Sequence, residues 1–397
     1  MNKTKTVFTL REGILLLAST MIILTGSAVV PVLPRILEVF KETPHAPFLT
    51  RMILSLPALS IAIASPLVGL ILDRWGRKPV LLVSLGLYGL FGASVYLLDS
   101  LFAILISRIL LGLAISGIVN SCITLIADYF SGTSRHRFMG LQSAVMGYSG
   151  VIYITVAGLL GDIHWRLPFL IYLLSLLILP VALFSITEPE HIMKSKGGDQ
   201  DESRPREPLP VKQIAFIYFI SFFGMILFYM VPVQLPFYLK SLGVTSKTMI
   251  GSTMALMTLF SATMATQYHK VKERLSFNLI FVILFSFMGV GYIIIASSTN
   301  YLHVMIAMAI SGLGLGLFIP SMNVYTVSII PERVRGRIVG GMSTAFFLGQ
   351  FFSPIIVYPS VETIGLAGSF AVASGLMLTF AIILFIVNYR NTRRHPL

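Results

Sequence analysis

The chain has 397 residues, of which 56% are hydrophobic and 11% are charged. Soluble globular proteins carry about 25% charged residues, so this composition excludes an ordinary soluble domain. The single cysteine, Cys122, excludes an intramolecular disulfide framework and a multi-cysteine metal or iron–sulfur site. The formal net charge is +13, but the basic residues are scattered in loops between apolar runs, so the charge does not indicate a nucleic-acid partner. The composition is that of an integral membrane protein.

Apolar segments long enough to cross a membrane recur along the whole chain. A hydrocarbon core about 30 Å thick needs about 20 apolar residues in a helix. The break at 188–211 mixes both charge signs with proline and glycine, which predicts a flexible cytoplasmic linker. We therefore predict an all-α integral membrane protein with twelve transmembrane helices, arranged as two pseudo-symmetric six-helix bundles over 1–187 and 212–397. The predicted spans are 13–34, 49–72, 79–98, 101–127, 137–161, 167–187, 212–238, 248–268, 276–297, 301–330, 336–359 and 364–389.

Lysine and arginine are distributed unequally between the two sets of connectors. The termini, the central linker and the connectors on their side hold 22 of them, the opposite connectors hold 6, and Arg108 lies inside a span. Because cytoplasmic loops are enriched in these residues, both termini are predicted to be cytoplasmic. The expected location is the inner or plasma membrane, which the chain crosses many times.

Identical residues recur between the two halves at a constant offset of 200 residues. A duplicated bundle explains this pattern, and such repeats place a substrate site at their interface near the middle of the bilayer. The alternative is a coincidence of membrane composition. The matched pairs include Gly112 with Gly312, Ser121 with Ser321, Arg135 with Arg335, Arg137 with Arg337 and Ser143 with Ser343.

The connector between the second and third spans reads GLILDRWGRKPVLL, residues Gly69–Leu82. Gly69 would allow two helices to approach closely, and Gly76 would permit a tight turn. The pattern resembles the signature loop of the major facilitator superfamily. The resemblance implies that Asp73 latches the two halves in the outward-facing state, beside a basic cluster of Arg74, Arg77 and Lys78. An ordinary positive-inside loop is the alternative.

Other segments resemble the same family and its drug/proton antiporter branch. RILLGLAISG places Arg108 inside the fourth span, and the resemblance implies a role in proton coupling; a snorkelling arginine is the alternative. ADYFSGTSRHRFMG at 127–140 and WRLPF at 165–169 resemble connectors on either side of the fifth span, and VVPVLPRI in the first span resembles the drug-exporter branch.

The fifth span departs from the antiporter pattern. The family's Gly-Pro pair falls on Tyr153 and Ile154, although Gly147, Gly150 and Gly161 lie nearby. Part of the close packing is therefore retained, but the pliable Gly-Pro bend is lost. This departure weakens the assignment to antiport.

None of the 16 acidic residues is predicted at the centre of a span. Many proton-driven transporters use a buried carboxylate, so the proton-coupling candidates here are Arg108, Asp128 and Asp73, with His303 as a weaker one. A permanently cationic substrate would lack a counter-ion. We expect a neutral, zwitterionic or anionic substrate, with Arg108 as the only buried positive charge.

Polar side chains inside the spans are the candidates for a substrate cavity. Ser116, Asn120 and Thr124 are four residues apart and share one helix face. Such groups face the bundle interior, or alternatively they only join one helix to another. The complete candidate set is Ser116, Asn120, Thr124, Gln142, Tyr148, Tyr153, Gln234, Asn323 and Gln350.

Together these features predict a secondary active transporter that exports small amphipathic organic compounds in exchange for protons by alternating access. The alternative is a dedicated metabolite, siderophore-like or lipid transporter, or a proton symporter, of the same fold. The sequence has no Walker A motif, His-rich cluster or paired carboxylates, so we expect neither an enzyme nor a metal or cofactor. The expected partners are a small-molecule substrate, protons and the lipid bilayer, with no nucleic acid, and the chain is expected to be a monomer.

Overall fold

A computed structural model describes residues 9–189 and 209–394, apart from the side chains of 136, 332, 333 and 391–394. All regular secondary structure in these residues is helical. The α-helices are α1 (Leu10–Ser27), α2 (Leu33–Val39), α3 (Ala46–Trp75), α4 (Arg77–Ala93), α5 (Leu101–Tyr129), α6 (Gly132–Ile163), α7 (Leu174–Ser185), α8 (Val211–Ser241), α9 (Lys247–Thr266), α10 (Tyr268–Arg274), α11 (Phe277–Ala296), α12 (Tyr301–Ile329) and α13 (Glu332–Arg394).

The first crossing is made of α1 and α2, which a short 3₁₀ turn at Val30–Val32 separates. Pro31 and Pro34 explain the break, because proline lacks the N–H group that a continuous helix needs. At its other end α1 begins with a capping box, in which Thr9 and Glu12 bond to each other's backbone N–H groups. The predicted first span is therefore a helix with defined start and break signals.

The predicted number of crossings is confirmed. Eleven helical segments of the described chain are long and apolar enough to span a membrane, and the last of them, Val334–Arg390, has 57 residues. The backbone inside it leaves the helical conformation at Gly365, where φ is 74° and ψ is 176°. A glycine is needed for this positive φ. The segment therefore crosses twice, at the two spans predicted on either side of 360–363.

The internal repeat is visible in the packing of the helices. A Cβ atom at Gly112 on α5 would lie 2.6 Å from the carbonyl oxygen of Pro57 on α3. A Cβ atom at Gly312 on α12 would lie 2.5 Å from the carbonyl oxygen of Met257 on α9. Both positions of the first contact, shifted by 200 residues, form the second contact, so α3 and α5 pack as α9 and α12 do. Small residues that let backbones touch are typical of helix interfaces in membranes.

Two seams join the N-terminal half (α1–α7) to the C-terminal half (α8–α13). One seam packs α6 against α9, and the other packs α3 against α13. We call the end of the molecule with the connectors 40–45, 164–166 and 242–246 the closed end. The opposite end, with the connectors 76, 130–131 and 330–331, is called the open end.

Candidate functional site

The two halves are bonded to each other at the closed end. Lys240 of α8 forms an ion pair and hydrogen bond with Glu38 of α2. Asp162, near the end of α6, caps the start of α9 in the other half: it accepts hydrogen bonds from the backbone N–H groups of Lys247 at 2.7 Å and Thr248 at 2.9 Å, and from the Ser246 hydroxyl at 2.9 Å. A carboxylate is favourable at a helix N-terminus, so this cap holds the closed end together.

The seam between α3 and α13 is closed by a buried arginine. Arg51 is 5% exposed and donates from Nε to Oε1 of Gln234 at 2.7 Å. Its guanidinium carbon lies 4.2 Å from the ring centre of Phe237 and 5.1 Å from that of Tyr358. One helical turn deeper, the Tyr229 hydroxyl donates to the carbonyl oxygen of Leu54 at 3.0 Å. Arg51 therefore lies between the surface of the closed end and the innermost hydrogen bond that joins the halves.

The open end has no equivalent closure among the described residues. Every hydrogen bond between the two halves in this part of the chain lies toward the closed end. Cβ atoms added at five glycines on the open-end parts of α3, α6 and α13 would meet no atom within 4 Å. Because the described halves are bonded to each other only toward the closed end, we interpret the open end as the mouth of a cleft between them. These glycines are Gly69, Gly132, Gly140, Gly336 and Gly340.

The signature loop lies at the open end, away from the other half. The expected close helix contact at Gly69 is not made in this conformation, and Asp73 is exposed. Gly76 has a φ of 94°, which confirms the tight turn. Glu188, which follows α7, caps α4 instead: it accepts from the N–H groups of Arg77 and Lys78, both at 2.7 Å. Sequence analysis missed Glu188 because it lies in the segment assigned to the linker.

Asp128 and Arg77 pair at the open end, with Nε and Oδ2 3.2 Å apart. The pair joins α5 to the start of α4, so two of the predicted residues are brought together within the N-terminal half. Arg74 is exposed and Lys78 is half-buried. His303 lies at the closed-end start of α12, where its N–H bonds to the capping side chain of Asn300.

Arg108 lies inside the N-terminal half and not in the cleft. Its side chain is fully buried and donates to the carbonyl oxygens of Phe91 and Gly92, both at 3.0 Å, and to the Tyr172 hydroxyl at 3.3 Å. Those carbonyls belong to the last turn of α4, where helical backbone acceptors have no partner in the helix itself. Arg108 therefore caps α4. The expectation that it is the only buried positive charge is corrected by Arg51.

The polar residues of α5 lie along one face, as their spacing predicts. The Asn120 amide donates to the Ser116 carbonyl at 2.8 Å, and the Thr124 hydroxyl donates to the Asn120 carbonyl at 2.8 Å. Ser116 is buried and lies 3.2 Å from the Ser65 hydroxyl of α3. Asn120 and Thr124 are half-buried and remain candidates for contact with substrate.

The other candidates are dispersed. Gln142 bonds to Ser19 at 2.6 Å, and Tyr153 bonds to Thr20 at 2.7 Å, so both tie α6 to α1. Tyr148 and Tyr153 line an apolar recess of about 540 Å³ between these two helices. Gln234 is fully buried beside Arg51 and does not line the open cleft. Of the remaining two, Asn323 is exposed and Gln350 is half-buried.

Arg51 is the functional candidate that sequence analysis missed. Arg51 was counted with the connectors, although it is the third residue of the predicted second span, 49–72. The structure begins α3 at Ala46, three residues earlier than predicted, which places Arg51 more than one turn inside the helix. An arginine so close to the start of an apolar run was the available signal, but only the packing of the halves shows that it is buried.

Comparison with known proteins agrees with this architecture. The tetracycline resistance protein of class H from Pasteurella multocida is 29% identical over 182 residues, which is 44% of each chain. The bacillibactin exporter of Bacillus subtilis is 29% identical over 40% of this chain and 41% of its own. The chain thus aligns with less than half the length of these relatives. The crystal structure of a D-xylose–proton symporter superposes with a TM-score of 0.79 at 15% identity, covering 94% of this chain and 96% of the symporter.

A family model described as Major Facilitator Superfamily matches residues 15–354 and 217–396. These matches include both halves and nearly all of the described helices. The chain belongs to the Major Facilitator Superfamily of membrane transporters.

Proposed function

We propose that the protein exports small amphipathic organic compounds in exchange for protons. The observation that carries this proposal is the cleft between the halves, which is bonded shut at one end and open at the other. Such an arrangement suits a transporter that admits cargo from one compartment at a time. The names of the tetracycline resistance and bacillibactin relatives support export as the direction.

The orientation of the cleft belongs to the same proposal. The open end carries the larger number of basic connectors, and we assign it to the cytoplasm together with both termini. The closed end then faces the outside of the inner or plasma membrane. In this orientation the structure is the state that loads cargo from the cytoplasm, with the protein working as a monomer.

Proton coupling is assigned to groups at the open end. Asp73 and Asp128 are the carboxylates of the signature region, and Asp128 is paired with Arg77. We propose that closure of this end brings Asp73 to the other half, as the family resemblance implies, while Arg77 and Asp128 separate or exchange partners. Arg108 is the weakest of the three coupling candidates, because its donors are bonded to backbone carbonyls within one half.

The second candidate function keeps the fold and changes the cargo or the direction. It is a transporter dedicated to one metabolite, siderophore-like compound or lipid, or a proton symporter. The fifth span favours it: Tyr153 and Ile154 replace the Gly-Pro pair, and α6 runs without a break from Gly132 to Ile163.

Transport by the purified full chain in proteoliposomes decides between these proposals. Tetracycline is the first probe, and vesicles are prepared with an acidic or an alkaline interior. Antiport predicts accumulation in acidic vesicles, because protons leave as the probe enters, and a protonophore abolishes it. Accumulation only in alkaline vesicles would favour symport. Uptake at the same rate with and without the pH gradient would contradict proton coupling.

A further inference from the structure

Arg51 is a buried cation whose contacts come almost entirely from the opposite half of the molecule. In its own half it donates from Nη1 to the carbonyl oxygen of Pro47 at 2.6 Å. Gln234 and Phe237 on α8 and Tyr358 on α13 supply the rest. Separation of the halves at the closed end would remove these three contacts together.

The cluster around Arg51 contains more donors than acceptors. Nε2 of Gln234 is fully buried and has no hydrogen-bond partner. A guanidinium has five N–H donors and no acceptor. Within the described part of the chain, no carboxylate lies within ion-pair distance of Arg51; Glu362 is near enough to act on its charge but forms no ion pair. Burial of an unpaired charge is costly, so the cluster is built for an oxygen acceptor that the protein itself does not supply in full.

We propose that Arg51 recognises an anionic oxygen group, such as a carboxylate, on the transported compound when the closed end opens. The guanidinium then faces the newly opened cleft with its Nε–Nη2 edge free, and this edge can hold a carboxylate through two parallel N–H···O bonds. This assignment rests on the proposed function, because the ligand is the cargo.

Gln234 acts as an internal competitor for the same site. In the closed state its Oε1 accepts the Arg51 Nε–H bond that the ligand oxygen would take. When the halves close again, Gln234 returns with the Phe237 and Tyr358 rings and displaces the anion. The neutral amide oxygen can do so because it arrives together with the ring contacts and with no entropic cost of capturing a free molecule.

The test uses two probes of the same shape and different charge, 2-naphthoate and 2-naphthamide. Equilibrium dialysis measures their binding to the full-length protein in lipid nanodiscs, with empty nanodiscs subtracted. We expect the carboxylate to bind at least about tenfold more tightly than the amide, as a hydrogen bond to a charged group allows. In Arg51→Gln the preference falls to about one while amide binding changes less than about twofold.

Two further variants separate recognition from folding. Gln234→Glu supplies a permanent carboxylate partner, so it should abolish the preference although it strengthens the closed contact. Arg166→Gln is the matched control, because Arg166 lies at the closed end but bonds only within the N-terminal half, to Asp99 among others. It should keep the full preference.

Several results would overturn the inference. These are a preference that survives Arg51→Gln, an equal loss of both probes in that variant, or wild-type protein that binds the two probes alike or binds neither. The gradient-driven transport of tetracycline is measured separately. If the protein transports tetracycline but binds 2-naphthoate and 2-naphthamide alike, the proposed function stands and only the role of Arg51 is refuted.

Discussion

Arg51 and Gly251 occupy equivalent positions in the two halves, 200 residues apart, and close the two seams in different ways. Gly251 lets α9 touch α6 so closely that a Cβ atom there would lie 2.7 Å from the carbonyl oxygen of Ile154. Arg51 instead fills its seam with a charged side chain between two rings. One seam is a backbone contact of small residues, and the other is a polar contact that can be replaced by ligand or water.

The glycine seam predicts that larger side chains force the closed end apart. In Gly251→Val the added atoms meet backbone that cannot move aside, and such overpacking costs about 1–3 kcal/mol. We expect the closed state to lose population, measured after Cys122→Ser as faster labelling of a single cysteine introduced at Val244, which is buried at the closed end. Gly375→Val is the control, because this exposed glycine on the last crossing has open space around it, and labelling should not change. Equal labelling in both variants and the wild type would contradict the seam's role.

The ion pair between Glu38 and Lys240 predicts a charge-swap effect. Both side chains are 40% exposed, so the pair contributes about 0.2–1 kcal/mol. Glu38→Lys should raise labelling at the closed end by a few-fold at most, and the double variant Glu38→Lys with Lys240→Glu should restore it. The effect should shrink at high salt, because screening weakens exposed pairs. A double variant that is labelled as fast as Glu38→Lys, or faster, would show that this ion pair does not stabilise the closed end.

The exposed position of Asp73 predicts a split between folding and turnover. Asp73→Asn should leave the thermal unfolding temperature unchanged, because surface substitutions change stability by less than about 0.5 kcal/mol. It should strongly reduce transport in proteoliposomes, because the family resemblance implies a latch in the opposite state. Full transport by this variant would argue against the latch.

The contacts of Arg108 predict a structural role. Arg108→Met removes the donors to Phe91 and Gly92, and each buried acceptor left without a partner costs about 1–3 kcal/mol. The unfolding temperature of the purified protein should therefore fall clearly. Arg337→Met, at an exposed arginine, serves as the control. A variant with unchanged stability that transports without a proton gradient would assign Arg108 to coupling instead.

The sequence predicts the helices well because membrane spans and loops differ so strongly in hydropathy. The offset between Gly112 and Gly312 also predicts the repeat, and the packing confirms it. Gly365 shows where this reasoning stops: the last two crossings are nearly continuous, and one glycine conformation makes the corner. No hydropathy pattern contains that information.

The candidate site was predicted less completely, because it depends on how two separately packed halves meet. Arg108 is recognisable as an intramembrane arginine, but only the position of α4 shows that it caps a helix. Arg51 and Gln234 are 183 residues apart, and nothing in the local pattern of either indicates their contact. The shared helix face of Ser116, Asn120 and Thr124 follows from their four-residue spacing, which is a local property, and the structure shows it.

The most direct measurement of the central claim uses spin labels on both ends of the protein in nanodiscs. After Cys122→Ser, one label pair is placed at Lys41 and Ser241 on the closed end, and a second pair at Ser131 and Lys270 on the open end. The distances measured by double electron–electron resonance should change in opposite directions when pH or a transported compound shifts the populations of the two conformations. One label pair should move apart as the other moves together. Distances that stay fixed, or that lengthen and shorten together, would contradict alternating access by these two halves.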